Sequence, residues 1–248
     1  MRMRRTHVIV LIVLAVVVCG IALRSVLRGV AVSAVQTVAG RHTIAERVEQ
    51  YGPAVRARLV SEFARAGIAY PPRAVVLAGL KREKQLEAWV SADGSAFRRL
   101  KSYPILAASG TLGPKLREGD RQVPEGIYAV ESLNPNSLYH LALRVGYPNA
   151  FDREKARADG RTRLGGDIMI HGKSSSIGCL AMGDSAAEEL FVLAAEAGVE
   201  NVAVVLSPVD FRVRELPDGR PPAPGWTAEL YAQIKARLMK LDEAGAGR

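Results

Sequence analysis

Cysteine is nearly absent: the 248 residues hold two, Cys19 and Cys179, beside only four histidines. No pair of thiols can build a disulfide framework. One cysteine and one histidine, His171, with at best Asp184 or His140 beside them, also lack the paired ligand spacing of structural zinc sites. Acidic residues are missing from the first 28 positions, where Arg2, Arg4, Arg5, Arg24 and Arg28 fall; without these five the formal charge of +9 drops to +4. That balance is too mild for a nucleic-acid partner, which calls for a clustered basic face. Internal repeats are missing as well. With 48% hydrophobic residues, the chain has enough apolar material for one sizeable core and is not a disordered polymer.

One long apolar run is present. "VIVLIVLAVVVCGIAL", Val8 to Leu23, follows the basic start "MRMRR". As a helix it reaches about 24 Å, a little short of a bilayer core. Residues 1–30 therefore read as a signal peptide or a short membrane anchor. The arginine bias places the N-terminus in the cytoplasm and the rest in the cell envelope, periplasmic or extracytoplasmic. Cys19 belongs to this run, which leaves Cys179 without a partner in the exported part. Such a thiol is buried and inert, paired between chains, or kept for reactivity.

Beyond the run, residues 40–71 read as a helical linker segment. Thr43 with Glu46 forms a capping box, Ile44, Val48, Tyr51, Val55, Leu59 and Phe63 recur at helical spacing, and Gly52-Pro53 is expected to break or kink the helix. Residues 72–212 carry short strands: 73–80, 84–91, 95–106, a strand around Ile127 to Glu131, and an alternating strand over 137–147 with Tyr139, Leu141, Leu143 and Val145 on one face. "GGDIMIHG" delivers His171 at a strand end. Ser185 and Glu188 predict a capped helix stopping at Gly198, and "NVAVVLS" a buried strand. Residues 213–248 hold a Pro-rich link and an amphipathic helix with Leu230, Ile234, Leu238 and Leu241.

The stretch "IHGKSSSIGC" concentrates the scarce reactive residues. It imitates a phosphate loop, but the position five before Gly172 is Asp167 rather than glycine, and the residues between form an apolar strand, so no nucleotide is expected. No other cofactor motif is legible. Cysteine chemistry fits better: an imidazole within reach of a thiol can take its proton and make a nucleophile. His171 and Cys179 can meet across the Gly-Ser loop, and Gly178 lets backbone amides approach an oxyanion. An inert core thiol remains open on the residues alone.

"IHGKSSSIGCLAMGD", with "GPKLREGDRQVPEG" and "YPNAFD", resembles the L,D-transpeptidase catalytic-domain family (YkuD-like), in its branch with a short loop between histidine and cysteine; the likeness runs from about Val75 to Leu206. It implies a mostly β (α+β) catalytic domain with Cys179 as nucleophile and His171 as general acid/base. Gly172, Ser176 and Gly178 would shape the pocket. It also implies peptidoglycan stem peptides as substrates, an envelope protein as a further acyl acceptor, and a role in cell wall biogenesis and cell shape. Hydrolysis through the same residues is the alternative, and a non-catalytic, membrane-anchored wall-binding module the alternative of another class. Ile177 stands where many members of the family carry a second histidine. Asp167 or Asp184 is then the candidate to orient His171, and Lys115, Arg117 and Arg121 form either a solvated charge run or contacts to stem-peptide carboxylates.

Overall fold

The computed structural model describes residues 41–218 and 222–246. The signal peptide or anchor expected over 1–30 lies outside them; among the described residues no helix is long and apolar enough to cross a membrane. The first helix, α1 (Ile44–Ala66), starts at the expected capping box. The Thr43 hydroxyl accepts from the Glu46 amide at 3.2 Å, while the Glu46 carboxylate accepts from the Thr43 amide at 2.7 Å. Gly67, with φ of 65°, ends it in the left-handed region that glycine enters without cost. The helix continues through Gly52-Pro53, so of the break or kink expected there the break does not occur. Proline removes one helical hydrogen bond, but Val55, Leu59 and Phe63 just beyond it are buried in the core, and that packing outweighs the local defect.

Nine strands follow: β1 (Ala74–Leu80), β2 (Gln85–Ser91), β3 (Arg98–Pro104), β4 (Ala107–Ala108), β5 (Gly126–Ser137), β6 (His140–Val145), β7 (Met169–His171), β8 (Leu180–Ala181) and β9 (Val202–Ser207). They form one sheet in the order β3-β2-β1-β9-β5-β6-β7-β8-β4. Pairing is antiparallel except for β1 with β9 and β7 with β8. The continuous apolar strands β1 and β9 are covered on both faces, as such runs usually are. Val75 and Leu77 enter one core with α1 and α3 (Asp184–Ala197), while Val76, Ala78 and Leu80 enter a second core. The second is closed by α4 (Thr227–Ala246), whose Leu230, Ile234, Leu238 and Leu241 are all buried as the periodicity predicts. The sheet and its helices make a mixed α+β fold, with α1 covering one side of the sheet and α4 the other.

Three local expectations are corrected. Strand β5 is far longer than Ile127 to Glu131: its first residues pair with β9 and its last with β6, so it joins the two halves of the sheet. Asn134-Pro135-Asn136 looks like a turn, but Pro135 falls in a register irregularity between Asn134 and Ser137, where a missing N–H is tolerated. Second, residues 137–147 are not one alternating strand. Leu138 and Tyr139 make a two-residue turn between β5 and β6, with His140 at φ of 76°, so Tyr139 leaves the face shared by Leu141, Leu143 and Val145. Third, Gly183 rather than Ser185 precedes α3 and no side chain caps it; Glu188 points instead to His140 and Arg58. One helix was not expected, α2 (Ala150–Ala158). Its signal was present, since Asn149 and Asp152 form a reciprocal capping box.

Candidate active site

The registers of β6, β7 and β8 decide what faces what. Ile170 pairs with Leu180, and both are buried beside Leu141 and Leu143 over α3. Side chains alternate along strands, so Met169, His171 and Ala181 project from the opposite face, and Cys179, immediately before β8, follows the same alternation. Strand spacing and rise put the α-carbons of His171 and Cys179 roughly 8 Å apart. Both line one cavity of about 300 Å³, together with Asn134, Ser137, Leu138, Tyr139, Asp167, Met169, Ser175, Ser176 and Ile177. Ala142 and Ala181, the residues paired with His171 on either side, are small and leave room for the ring.

His171 is almost fully buried, and its Nδ1 lies 2.6 Å from the Gly172 carbonyl oxygen. A carbonyl only accepts, so Nδ1 carries the hydrogen and Nε2 is left with the lone pair of a base. Tyr139 packs against the imidazole with ring centroids 4.6 Å apart and the planes tilted by 41°. The group that orients His171 is therefore a backbone carbonyl. Asp167 is bound to Arg144 at 2.8 Å, and Asp184 accepts from the Lys173 amide at 2.8 Å and from its ammonium at 2.7 Å. Gly172 has no room for a side chain, because a Cβ would meet Asp184 Oδ1 at 2.6 Å and the Tyr139 carbonyl oxygen at 2.7 Å. His140 is held away, its Nε2 3.1 Å from Glu188 and its ring edge-on to Tyr51.

The thiol of Cys179 donates to the Asp167 carbonyl at 3.6 Å. Ser176 bridges the backbone of the same cysteine: its hydroxyl accepts from the Cys179 amide at 3.0 Å and donates to the Cys179 carbonyl at 2.5 Å. The Gly178 amide donates to the Ser109 hydroxyl at 2.6 Å, which in turn donates to the Arg121 carbonyl. Gly178, at φ of 90°, occupies a conformation that side chains disfavour. At rest, then, the two amides expected to face an oxyanion are both engaged by serine hydroxyls. Ser109 lies 69 residues before Gly178 and has no local sequence signal for this role. Tyr139 could have been found only by recognising the two-residue turn before His140.

Of the loop cations, Lys115 is neither solvated nor open to substrate. It is buried and bound to Asp120 at 2.5 Å, while Arg117 and Arg121 are exposed. Among the described residues no three His, Cys, Asp or Glu side chains converge as metal ligands.

Burial pushes the Cys179 thiol up, against the lowering effect of the Met169 amide; the Asp167 charge raises it further and Lys115 opposes. Burial also pushes His171 below the usual imidazole range, partly offset by the Gly172 carbonyl. Both shifts favour the neutral forms, a thiol beside a free base rather than a thiolate-imidazolium pair. Alkylation of Cys179 by iodoacetamide should consequently keep rising with pH to above about 8.5, the ordinary thiol range. A plateau between pH 6 and 8 would reveal a preformed ion pair instead.

A mixed sheet carrying a histidine and a cysteine on neighbouring strand ends is the frame on which the comparisons with known proteins bear. The sequence model of the YkuD family, the L,D-transpeptidase catalytic domain, matches residues 75–206, and the chain belongs to that family. YafK of Escherichia coli (strain K12), provisionally named an L,D-transpeptidase, is 42% identical over 113 residues, covering 45% of this chain and 43% of YafK. The chain thus spans less than half the length of the curated relatives it matches. Among solved structures, the helical cell shape determining protein Pgp2 from Campylobacter jejuni aligns at 25% identity and a TM-score of 0.43, over 55% of this chain and 48% of Pgp2. Bd1075 of Bdellovibrio bacteriovorus aligns at 19% identity and 0.40, over 69% of this chain and 56% of Bd1075. At these scores the solved structures add nothing to the family assignment.

Proposed function

We propose that this protein is a cysteine acyltransferase of the cell envelope that acts on peptidoglycan stem peptides through an acyl-thioester. The observation that carries the reading is His171 and Cys179 lining one cavity, with Nε2 of the histidine left as the free base. The Cys179 proton passes to His171 Nε2 as the sulfur attacks the carbonyl of a diamino-acid residue in the stem peptide. Negative charge gathers on the carbonyl oxygen. The amides of Gly178 and Cys179 serve it once the substrate displaces the hydroxyls of Ser109 and Ser176. Collapse breaks the C–N bond, His171 gives its proton to the departing amine, and the thioester remains. An amine of a neighbouring stem peptide, or of an envelope protein, then resolves it by transfer; water resolves it by hydrolysis. Residues 1–30 hold the catalytic unit at the membrane or direct its export.

The test is incubation of the whole protein with a defined tetrapeptide muropeptide, read by intact mass and by product analysis. A thioester adduct on Cys179 and loss of the terminal residue are expected, and the products separate transfer from hydrolysis. No adduct with the muropeptide or with a carbapenem would leave the wall-binding module as the reading.

A further inference from the structure

Among the described residues that line the cavity of His171 and Cys179, Asp167 alone carries a carboxylate or a permanent cation; the others bring hydroxyls, one amide, a thioether, a thiol, an imidazole and apolar side chains. It sits at φ of 54°, a left-handed conformation that aspartate and asparagine tolerate better than other residues. Its backbone carbonyl receives the Cys179 thiol, and its charge acts on that thiol. The carboxylate is 74% exposed. One oxygen accepts from Arg144 at 2.8 Å, and Arg144 also binds Glu131 at 2.9 Å. Two carboxylates thus share one guanidinium, and the cluster that includes Asp167 keeps an excess negative charge. Of the nearby lysines, Lys173 is bound to Asp184 and Lys115 to Asp120, while Arg121, beside Gly178, is exposed.

A negative charge at this place works against the proposed nucleophile, since it raises the Cys179 thiol further. A carboxylate that disfavours the thiolate has a use there if the substrate brings a positive charge. The diamino-acid residue of a stem peptide does so, through the amine that its backbone does not use. Resting on the acyltransferase reading above, we propose that Asp167 is a substrate-binding residue that takes this ammonium group, with Arg144 fixing the carboxylate. The group belongs either to the acyl donor or to the amine acceptor, and the two are distinguished below.

Asp167→Asn tests this with little disturbance, because asparagine suits the same left-handed backbone and leaves the carbonyl that meets Cys179 in place. The full chain is given a tetrapeptide donor with the free amine and the same donor with that amine acetylated. If the donor's ammonium is bound, Asp167→Asn raises KM for the free-amine donor about three- to tenfold, as expected for one charged contact near the surface. kcat changes little, and the acetylated donor is handled alike by both proteins. If the acceptor's ammonium is bound, thioester formation is unchanged, and the partition of the acyl-enzyme shifts from amine toward water by a similar factor. Iodoacetamide, a neutral probe, should alkylate the variant no more slowly than the parent; slower alkylation together with equal losses on both donors would mean a structural role and would overturn the proposal. So would an unchanged preference between the donors combined with an unchanged partition. If the parent forms no thioester with either donor, the acyltransferase reading fails first and the ammonium site falls with it.

Discussion

Replacing Cys179 by alanine abolishes thioester formation, and replacing His171 by glutamine lowers kcat/KM by about 10²- to 10⁴-fold, the usual worth of a positioned general base. The second figure follows from the environment of the thiol. A free cysteine is only a few per cent ionised at neutral pH, and burial pushes Cys179 to still less. Without an acceptor at Nε2 the attacking species must come from hydroxide, so the residual activity of the variant climbs with pH through and beyond the ordinary thiol range. The parent behaves differently. Its base is lost only when His171 takes up a proton, and since the folded pKa lies below the usual value, the acid limb falls below about 6.5. A parent and a variant with the same pH profile would exclude His171 as the base. Glutamine retains a donor that can reach the Gly172 carbonyl. Donor KM should therefore change less than kcat, whereas a collapsed site would move both.

How much of this was legible beforehand depended on whether the determining forces were local. Capping of α1, the stop at Gly198 and the buried stripe of α4 are set by neighbours three or four residues apart, and the sequence carries them openly. His171 and Cys179 were legible because the loop joining them is short. The hidden parts all depend on distant pairing. The length of β5 is imposed by β9 on one side and β6 on the other, and that pairing overrides the turn-like look of Asn134-Pro135. Glu188 was read as half of a capping box, yet it is drawn to His140 and Arg58, groups contributed by a strand 48 residues and a helix 130 residues away. Ser109 becomes part of the site only through a crossing of the 109–125 segment that no spacing announces. The orientation of His171 was sought among carboxylates because carboxylates are visible in a sequence; a backbone carbonyl is not.

Glu125→Ala should cost about 3–5 kcal/mol of stability, the loss expected when one partner of a buried ion pair is removed. Glu125 and Lys81 are bound at 2.8 Å with side chains 0% and 7% exposed. The same carboxylate accepts from the Gly113 amide at 2.8 Å and from the Tyr231 hydroxyl at 2.7 Å, so it ties the sheet, the 109–125 segment and α4 together. Alanine would leave the Lys81 ammonium with only the carbonyls of Gly113 and Val123, at 3.2 and 3.1 Å. Burial already pushes Lys81 down, with Glu125 opposing that shift. Without Glu125 the folded-state pKa falls further, while the unfolded lysine keeps its ordinary value. Between those two values the unfolded chain binds more protons, so the variant regains stability as pH rises through the window. Urea unfolding at pH 7 and pH 9.5 should therefore show a smaller deficit at the higher pH. Exchanging the three side chains together, Lys81→Met with Glu125→Leu and Tyr231→Phe, should recover part of the loss, because an apolar trio removes the desolvation cost of the charges while the Gly113 amide still loses its acceptor. A single alanine variant within about 0.5 kcal/mol of the parent, the range of neutral surface changes, would mean that this buried pair does not hold α4 and the 109–125 segment to the sheet.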